Sequence, residues 1–301
     1  MEEWKKETED AWETKVRYLE GHQFNLSDFA LFLSVMKHKE AYEAALSIIL
    51  EEPEVKMREV KVEEVILNQY GKRAIRLDAW GMTDDNRQVN MEMENHDGME
   101  DVSKRSRFYQ SLMDTPILKS GKRTKYRRLP STIIIFITQD DIFKKDMAKY
   151  TFTEQCEEVD GLHLGDGTKK IFLNMTSKNG SKELVSLLQY MKNTSLNNPE
   201  IESKDERIIR LDEIVTEVKE SEEWEAVQMN ILEIGISHGM EQGIAQGKAE
   251  DILELLEECG EVPKDLRKAV LEETNLERLR AWLKLSAKAG SIEEFRSQAG
   301  L

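Results

Sequence analysis

Three carboxylates within one short stretch have the types and spacing for metal-assisted chemistry: Asp78, Glu92 and Glu94. Arg73 to Met82 alternates as a strand does, with Ile75, Leu77 and Ala79 on one face and Arg76, Asp78 and Trp80 on the other. After the polar cluster Thr83-Asp84-Asp85-Asn86 the alternation resumes from Gln88 to Asn95. There Val89, Met91 and Met93 share one face, and Asn90, Glu92 and Glu94 share the opposite one. Two alternating runs around a short polar loop predict a β-hairpin. A tight loop puts Asp78 and Glu92 on the same side of neighbouring strands, within reach of one cation, and Glu94 projects from the face of Glu92. Clustered acids repel one another and raise the cost of folding unless a cation neutralises them. Carboxylate oxygens suit Mg²⁺, with Mn²⁺ as the alternative ion, because Mg²⁺ keeps several waters and takes only one or two protein carboxylates. Such a metal activates water and stabilises charge developing on a phosphate. On spacing alone, an acidic edge on a solvent-facing sheet fits the same pattern. Asp84 and Asp85 belong to the turn, where aspartate is favoured for backbone reasons.

The elements that must hold this hairpin are legible on both sides of it. Leu26 to Leu50 has apolar residues at helical spacing and predicts one or two helices, capped by Ser27 or Asp28 and ended before Pro53. Val60 to Leu67 is expected to be a short strand. Val102 to Thr115 is expected to be a helix, followed by a basic loop that ends at Pro130. Ser131 to Thr138 (STIIIFIT) is a nearly continuous apolar run, as in a strand covered on both faces. Lys170 to Met175 predicts another strand and Lys182 to Lys192 a helix. The stretch 193–199 has linker composition, and helical periodicity dominates from about Glu200. These features predict an α/β (α+β) core over 1–198, followed by an all-helical acidic region over 199–301.

Charge is distributed unevenly over the chain. The formal net charge is −16, which taken alone argues against a nucleic-acid partner. From Val102 to Arg128, however, nine basic residues face one acid, for a local +8, whereas Glu200 to Glu261 carries −14. Phosphate binding depends on local potential, so the acidic total does not exclude DNA. Lys104, Arg105, Arg107, Lys122, Arg123, Lys125, Arg127 and Arg128 are the expected DNA contacts. A solvated basic loop is the plainer alternative. An acidic tail that competes with DNA for this segment would be expected to raise DNA affinity when removed near Asn198.

Other features bound the class. No run of 18 or more apolar residues occurs, so no membrane span is expected. The charged start MEEWKKETEDAWETK has no signal-peptide h-region, and a cytoplasmic location is expected. Cys156 and Cys259 lie far apart, and the five histidines are scattered, so neither a structural disulfide nor a zinc site is expected. Gly235, Gly239, Gly243 and Gly247 recur every four residues, which on a helix makes one ridge open to close approach. Each costs about 1 kcal/mol of helix propensity, so an offsetting contact is expected. A homo-oligomer through 235–247, a hinge and packing within the chain are all compatible with the pattern.

The order of several strings carries a family resemblance. RLDAW, GMTDDNRQVNMEMEN, KRSRFYQSLMD and LPSTIIIFIT together resemble the PD-(D/E)XK nuclease family transposases, the recombination-promoting nuclease (Rpn) group. The matching positions are Arg76, Leu77 and Asp78, then Glu92 and Glu94, then Arg105, Tyr109, Gln110 and Ser111. The glycine-every-four segment and Ser291 to Phe295 resemble the tails of this group, so the likeness spans most of the chain. It implies a restriction-endonuclease-like mixed sheet flanked by helices, and Mg²⁺-dependent endonuclease cleavage of DNA phosphodiesters.

Carried over by position, the resemblance makes Asp78 and Glu92 the metal ligands. It sets Glu94 where the wider superfamily usually has a lysine. A lysine there would position the attacking water and stabilise negative charge in the transition state, and a glutamate cannot supply positive charge. Three explanations stand open: the cationic role has moved to Lys104, Arg105 or Arg107, Glu94 joins the metal site, or this copy has lost its activity. Gln110 would orient water or phosphate if its helix packs over the hairpin, with a surface or cap hydrogen bond as its alternative. Glu43, and after it Glu40, are candidates for an additional acid from the N-terminal helices. Trp80, Phe108 and Tyr109 are expected in the core. The alternatives to an enzyme are a catalytically inactive DNA-binding or regulatory protein on the same fold, and a helical scaffold whose acidic tail recruits a protein.

Overall fold

The computed structural model describes residues 23–67, 72–94, 101–118 and 125–301, with all of their side chains except those of 232 and 234–242. The chain divides into two compact units, the larger at Glu20–Glu225 and the smaller including Ala226–Leu301. In the larger unit the N-terminal apolar stretch forms two helices, α1 (Phe29–Met36) and α2 (Lys39–Leu50). Asp28 stands at the N-cap of α1, but its carboxylate accepts the backbone N–H of Asn25 at 2.6 Å and does not cap the helix. The strands β1 (Met57–Ile66), β2 (Ile75–Thr83), β3 (Arg87–Glu94), β4 (Ser131–Thr138), β5 (Lys149–Phe152) and β6 (Thr168–Asn174) form one sheet in the order β1-β2-β3-β4-β6-β5. The β3–β4 and β4–β6 pairs are parallel, and the β1–β2, β2–β3 and β5–β6 pairs are antiparallel. The sheet is thus mixed, as expected.

The hairpin that carries the acids is set by its turn. Asn86 adopts φ 67°, a left-handed conformation that asparagine tolerates, and its N–H bonds the Thr83 carbonyl at 3.1 Å. Arg87 then grips Glu52 through both carboxylate oxygens at 2.6 and 2.9 Å, tying the turn to the end of α2. Gly81 is required for close approach. A Cβ there would stand 2.9 Å from the Glu59 carbonyl oxygen of β1, nearer than backbone allows.

Helix α3 (Val102–Asp114) crosses the sheet face that bears Ile134 and Phe136 of β4 and Phe172 of β6, burying Val102, Leu112 and Met113. Its C-terminal end is fixed by a polar clasp, in which Gln88 donates to the carboxylate of Asp114 and to the Thr132 hydroxyl, both at 3.0 Å. Strand β5 is not legible from residue pattern, because a four-residue edge strand between polar loops has no periodicity to detect.

The expected boundary at Asn198 falls elsewhere. The 193–199 stretch is bound into the larger unit: Leu26 donates its backbone N–H to Thr194 at 2.6 Å, and Asn198 donates to the Gln189 carbonyl of α4 (Lys182–Lys192) at 3.0 Å. Helix α5 (Glu206–Lys219) belongs to the same unit and packs on α2. It buries Ile208, Leu211, Ile214, Val215 and Val218, and Asp212 accepts the Tyr190 hydroxyl at 2.8 Å. Polar linker composition did not reveal this, because the side chains of Thr194 and Asn198 satisfy buried backbone groups.

Helix α6 (Glu222–Glu257) begins at the end of the larger unit and continues into the smaller. There α7 (Lys264–Leu271), α8 (Leu276–Ser286) and α9 (Ile292–Ala299) enclose a core with Ile252, Leu256, Val270, Leu279, Trp282 and Phe295. Ser291 caps α9 by accepting the N–H of Glu294 at 3.2 Å. A Cβ on Gly243 or Gly247 would meet open space, and the surroundings of Gly235 and Gly239 lie outside those described. Cys156 and Cys259 are free thiols. Among the described residues no helix is long and apolar enough to cross a membrane.

The packing of α5 predicts where the chain can be cut. A chain ending at Glu225 should keep the cooperative thermal transition of the larger unit, and one ending at Asn198 should lose it, as followed by circular dichroism. Leu211→Ala should lower stability by about 2–5 kcal/mol in urea denaturation.

Candidate active site

The paired register of β2 and β3 runs from Met82↔Gln88 to Ala79↔Met91, and one step further the two predicted acids meet. At that step their carboxylates take over the hydrogen bonding of the strands. Glu92 Oε1 accepts the backbone N–H of Asp78 at 3.0 Å, and Asp78 Oδ2 accepts the backbone N–H of Met93 at 3.0 Å. Each acid is therefore anchored by one oxygen to the other strand. The second oxygens, Asp78 Oδ1 and Glu92 Oε2, accept no hydrogen bond among the described residues.

Both groups are buried, Asp78 at 8 % exposure and Glu92 at 3 %. Burial, followed by the negative charge of Asp78, pushes the Glu92 carboxyl up to about 8. Burial likewise raises Asp78 to about 6, against the lowering effects of the Met93 N–H, Arg105 and Arg76. Two desolvated carboxylates of like charge hold a proton into the neutral range unless positive charge arrives to replace it.

That positive charge comes partly from α3. Parallel pairing with β4 sets Glu92 beside Phe136 and Glu94 beside Thr138, on the face that α3 covers. The Arg105 guanidinium lies 4.8 Å above the Phe136 ring and 5.7 Å from that of Tyr109, and it forms an ion pair with buried Glu94. A cation over aromatic faces is favoured and fixed in place. Its charge lowers the pKa of both Asp78 and Glu92. Glu94 is thus engaged by a cation from the next helix. Lys104 pairs with Asp101 at 2.8 Å at the exposed start of α3.

Gln110 lies on a different ridge of α3. It lines a cleft with Arg107, Lys170 and Phe172 on the far flank of the helix from Arg105. Glu43 and Glu40 are also placed away from the pair. Glu43 accepts the Met57 N–H at 2.7 Å, where β1 starts beside the hairpin turn, and Glu40 pairs with Arg210 of α5. Trp80 is half-buried under Lys61, and Phe108 and Tyr109 pack against the α3 core, as expected. Lys125, Arg127 and Arg128 are exposed around a short 3-10 turn, and Arg107 is exposed on α3. Lys122 and Arg123 lie outside the described residues.

Two residues here escaped the sequence. Tyr42 of α2 is fully buried and donates its hydroxyl towards the carbonyls of Ala79 and Val89, at 3.2 and 3.1 Å. Burial and the Glu92 charge both oppose its ionisation. Its neighbour Glu43 carried the more suggestive chemistry, and only the helix orientation separates the two. Asn90 donates to Glu92 Oε1 at 2.7 Å, while its own Oδ1 is buried with no hydrogen-bond partner. Its position two residues before Glu92 on the same face was the available signal.

Residues 28–232 match the family described as PD-(D/E)XK nuclease family transposase. This match covers more than half of the chain. The chain belongs to that family. No curated protein and no solved structure matches it. The mixed six-stranded sheet with flanking helices agrees with a PD-(D/E)XK fold. PD-(D/E)XK nucleases generally use divalent metals. Among the described residues, no group of three or more His, Cys, Asp or Glu side chains could hold a metal ion. The donor set nevertheless fits a hard, water-retaining cation. Asp78 and Glu92 are pre-oriented by their backbone bonds, each keeps one oxygen open, and Mg²⁺ needs only one or two protein carboxylates.

The raised carboxyls of this PD-(D/E)XK protein predict how its stability follows pH without metal. A folded-state pKa above the unfolded value gives stability that is complete below about pH 4 and is lost as pH rises through about 6 and 8. In EDTA the melting temperature should therefore fall between pH 5 and 9, by roughly 5 °C or more. Thermal unfolding of Glu92→Gln should show a flatter profile over that range.

Proposed function

We propose that this protein is a Mg²⁺-dependent DNA endonuclease that hydrolyses phosphodiester bonds, with Mn²⁺ as an alternative ion. The observation that carries the proposal is the Asp78–Glu92 pair, buried, mutually anchored, and each with one oxygen that accepts no hydrogen bond among the described residues. A bound divalent ion at such a pair supplies Lewis-acid stabilisation of a phosphate and lowers the pKa of water. Asp78 and Glu92 hold that ion and set its place against β2 and β3. Arg105 keeps a fixed positive charge beside the acids, in the sector where the superfamily usually uses a lysine, and so offsets negative charge that builds up on a phosphate. Glu94 orients Arg105 through their ion pair. Exposed Lys104, Arg107, Lys125, Arg127 and Arg128, with Lys122 and Arg123, grip backbone phosphates, a contact that weakens as salt rises.

A plasmid-nicking assay with Mg²⁺ tests this. The wild type should nick supercoiled DNA only with a divalent ion, and Asp78→Ala or Glu92→Ala should bring the rate to background. Arg105→Ala should lower nicking by about 10²-fold or more, with DNA binding retained. Glu94 at the lysine position favours a second reading, a DNA-binding protein without turnover. Salt-sensitive DNA binding, with no nicking by the wild type in Mg²⁺ or Mn²⁺, would select that reading and reject the enzyme.

A further inference from the structure

The flank of α3 turned away from the two acids borders a cleft of about 500 Å³ that the proposed hydrolysis does not use. That volume is within the usual range for small-molecule sites. Its wall is aromatic. Phe152 on β5 lies 5.0 Å from Phe143 and 5.6 Å from Phe172, in centroid distances, meeting Phe172 edge-on at 82°. Packing of this kind holds the Phe152 ring from the side, yet the residue remains 45 % exposed. A ring fixed at its edge and open to solvent is a stacking platform that loses little entropy when it is covered.

The rim supplies polar groups of suitable type. Arg107 and Lys170 line the cleft, and neither forms an ion pair among the described residues. The Gln110 amide makes no hydrogen bond among the described residues, so a donor and an acceptor are both available. Glu154 adds an acceptor suited to an exocyclic amine. The cleft's other acid, Asp114, is already engaged by Gln88 and Thr132. A flat apolar surface, unpaired cations and an amide together match a nucleobase that carries its phosphate. An apolar peptide side chain would leave both cations without a counter-charge.

We propose that this cleft receives an unpaired base of a DNA strand, stacked on Phe152, with its edge bound by Gln110 and its phosphate by Arg107 and Lys170. The proposal rests on the DNA reading above and extends it: a strand held here lies on the same helix that carries Arg105. It gives the protein a preference for single-stranded or locally opened DNA over intact duplex.

The test is equilibrium binding of the full chain, in EDTA and low salt, to a fluorescein-labelled single strand and to a blunt duplex of the same sequence. Phe152→Ala should weaken single-strand binding about tenfold, the scale of one lost base–aromatic stack. It should leave duplex binding unchanged, and Phe152→Trp should restore the loss. Gln110→Ala should also weaken single-strand binding selectively. Equal single-strand affinity for wild type and Phe152→Ala, with duplex still bound, overturns the cleft proposal and leaves the nuclease reading standing. Equal weakening of both DNA forms also overturns it. Competition by free dAMP at concentrations equal to the oligonucleotide would assign the cleft to a free nucleotide and overturn the strand assignment. Failure of the wild type to bind either DNA rejects the cleft proposal and the DNA reading together.

Discussion

Everything at the site depends on the hydrogen bonds that two carboxylates make between two antiparallel strands. Beyond Ala79 and Met91, the N–H groups of Asp78 and Met93 each bond to a carboxylate of the opposite strand. A buried N–H without a partner costs about 1–3 kcal/mol, so the acids are structural members of the sheet as well as potential ligands. The same bonds fix their orientation. Two carboxylates that would otherwise repel and rotate apart are held together, each with one oxygen committed and one open.

The surrounding charges show how such a pair is tolerated. Asp78, Glu92 and Glu94 share one face of the sheet, and among the described residues Arg105 and, from an exposed position, Arg76 bring positive charge to the pair. Arg105 is also bound to Glu94, so its charge is shared among three carboxylates. A retained proton is one remedy and a divalent cation is another, and they compete for the same oxygens. Tyr42 closes the region from α2 with a hydroxyl kept neutral by burial and by Glu92.

Much of this was legible in the sequence because it depends on period-two alternation. The two alternating runs and the four-residue polar cluster were enough to set Asp78 across from Glu92, since a hairpin turn fixes register and register fixes facing. The strand STIIIFIT and the helix after the hairpin were equally plain. What stayed hidden depends on helix rotation and on long-range packing. Tyr42 and Glu43 are adjacent, and periodicity alone did not say which one turns towards the hairpin. Gln110 and Arg105 stand about 140° apart on a helix by periodicity alone, but only the packing of α3 decides which of the two flanks meets the acids. The polar segment 193–199 has the composition of a linker, yet Thr194 and Asn198 spend their polar groups on buried backbone, which composition does not report.

The glutamate at position 94 is best understood through Arg105. A lysine on β3 would bring its charge on a flexible stem from the sheet itself. Arg105 brings charge from a separate helix, stacked on Phe136 and tied to Glu94, with less freedom to move. The exchange keeps a cation beside the acids, but it makes that cation depend on α3 being docked. Helix α3 is held by the burial of Val102, Leu112 and Met113 and, at its C-terminal end, by Asp114, whose carboxylate is clasped by Gln88 of β3 and Thr132 of β4. Charge at the site is therefore coupled to the placement of a whole helix, whose other flank forms the aromatic cleft.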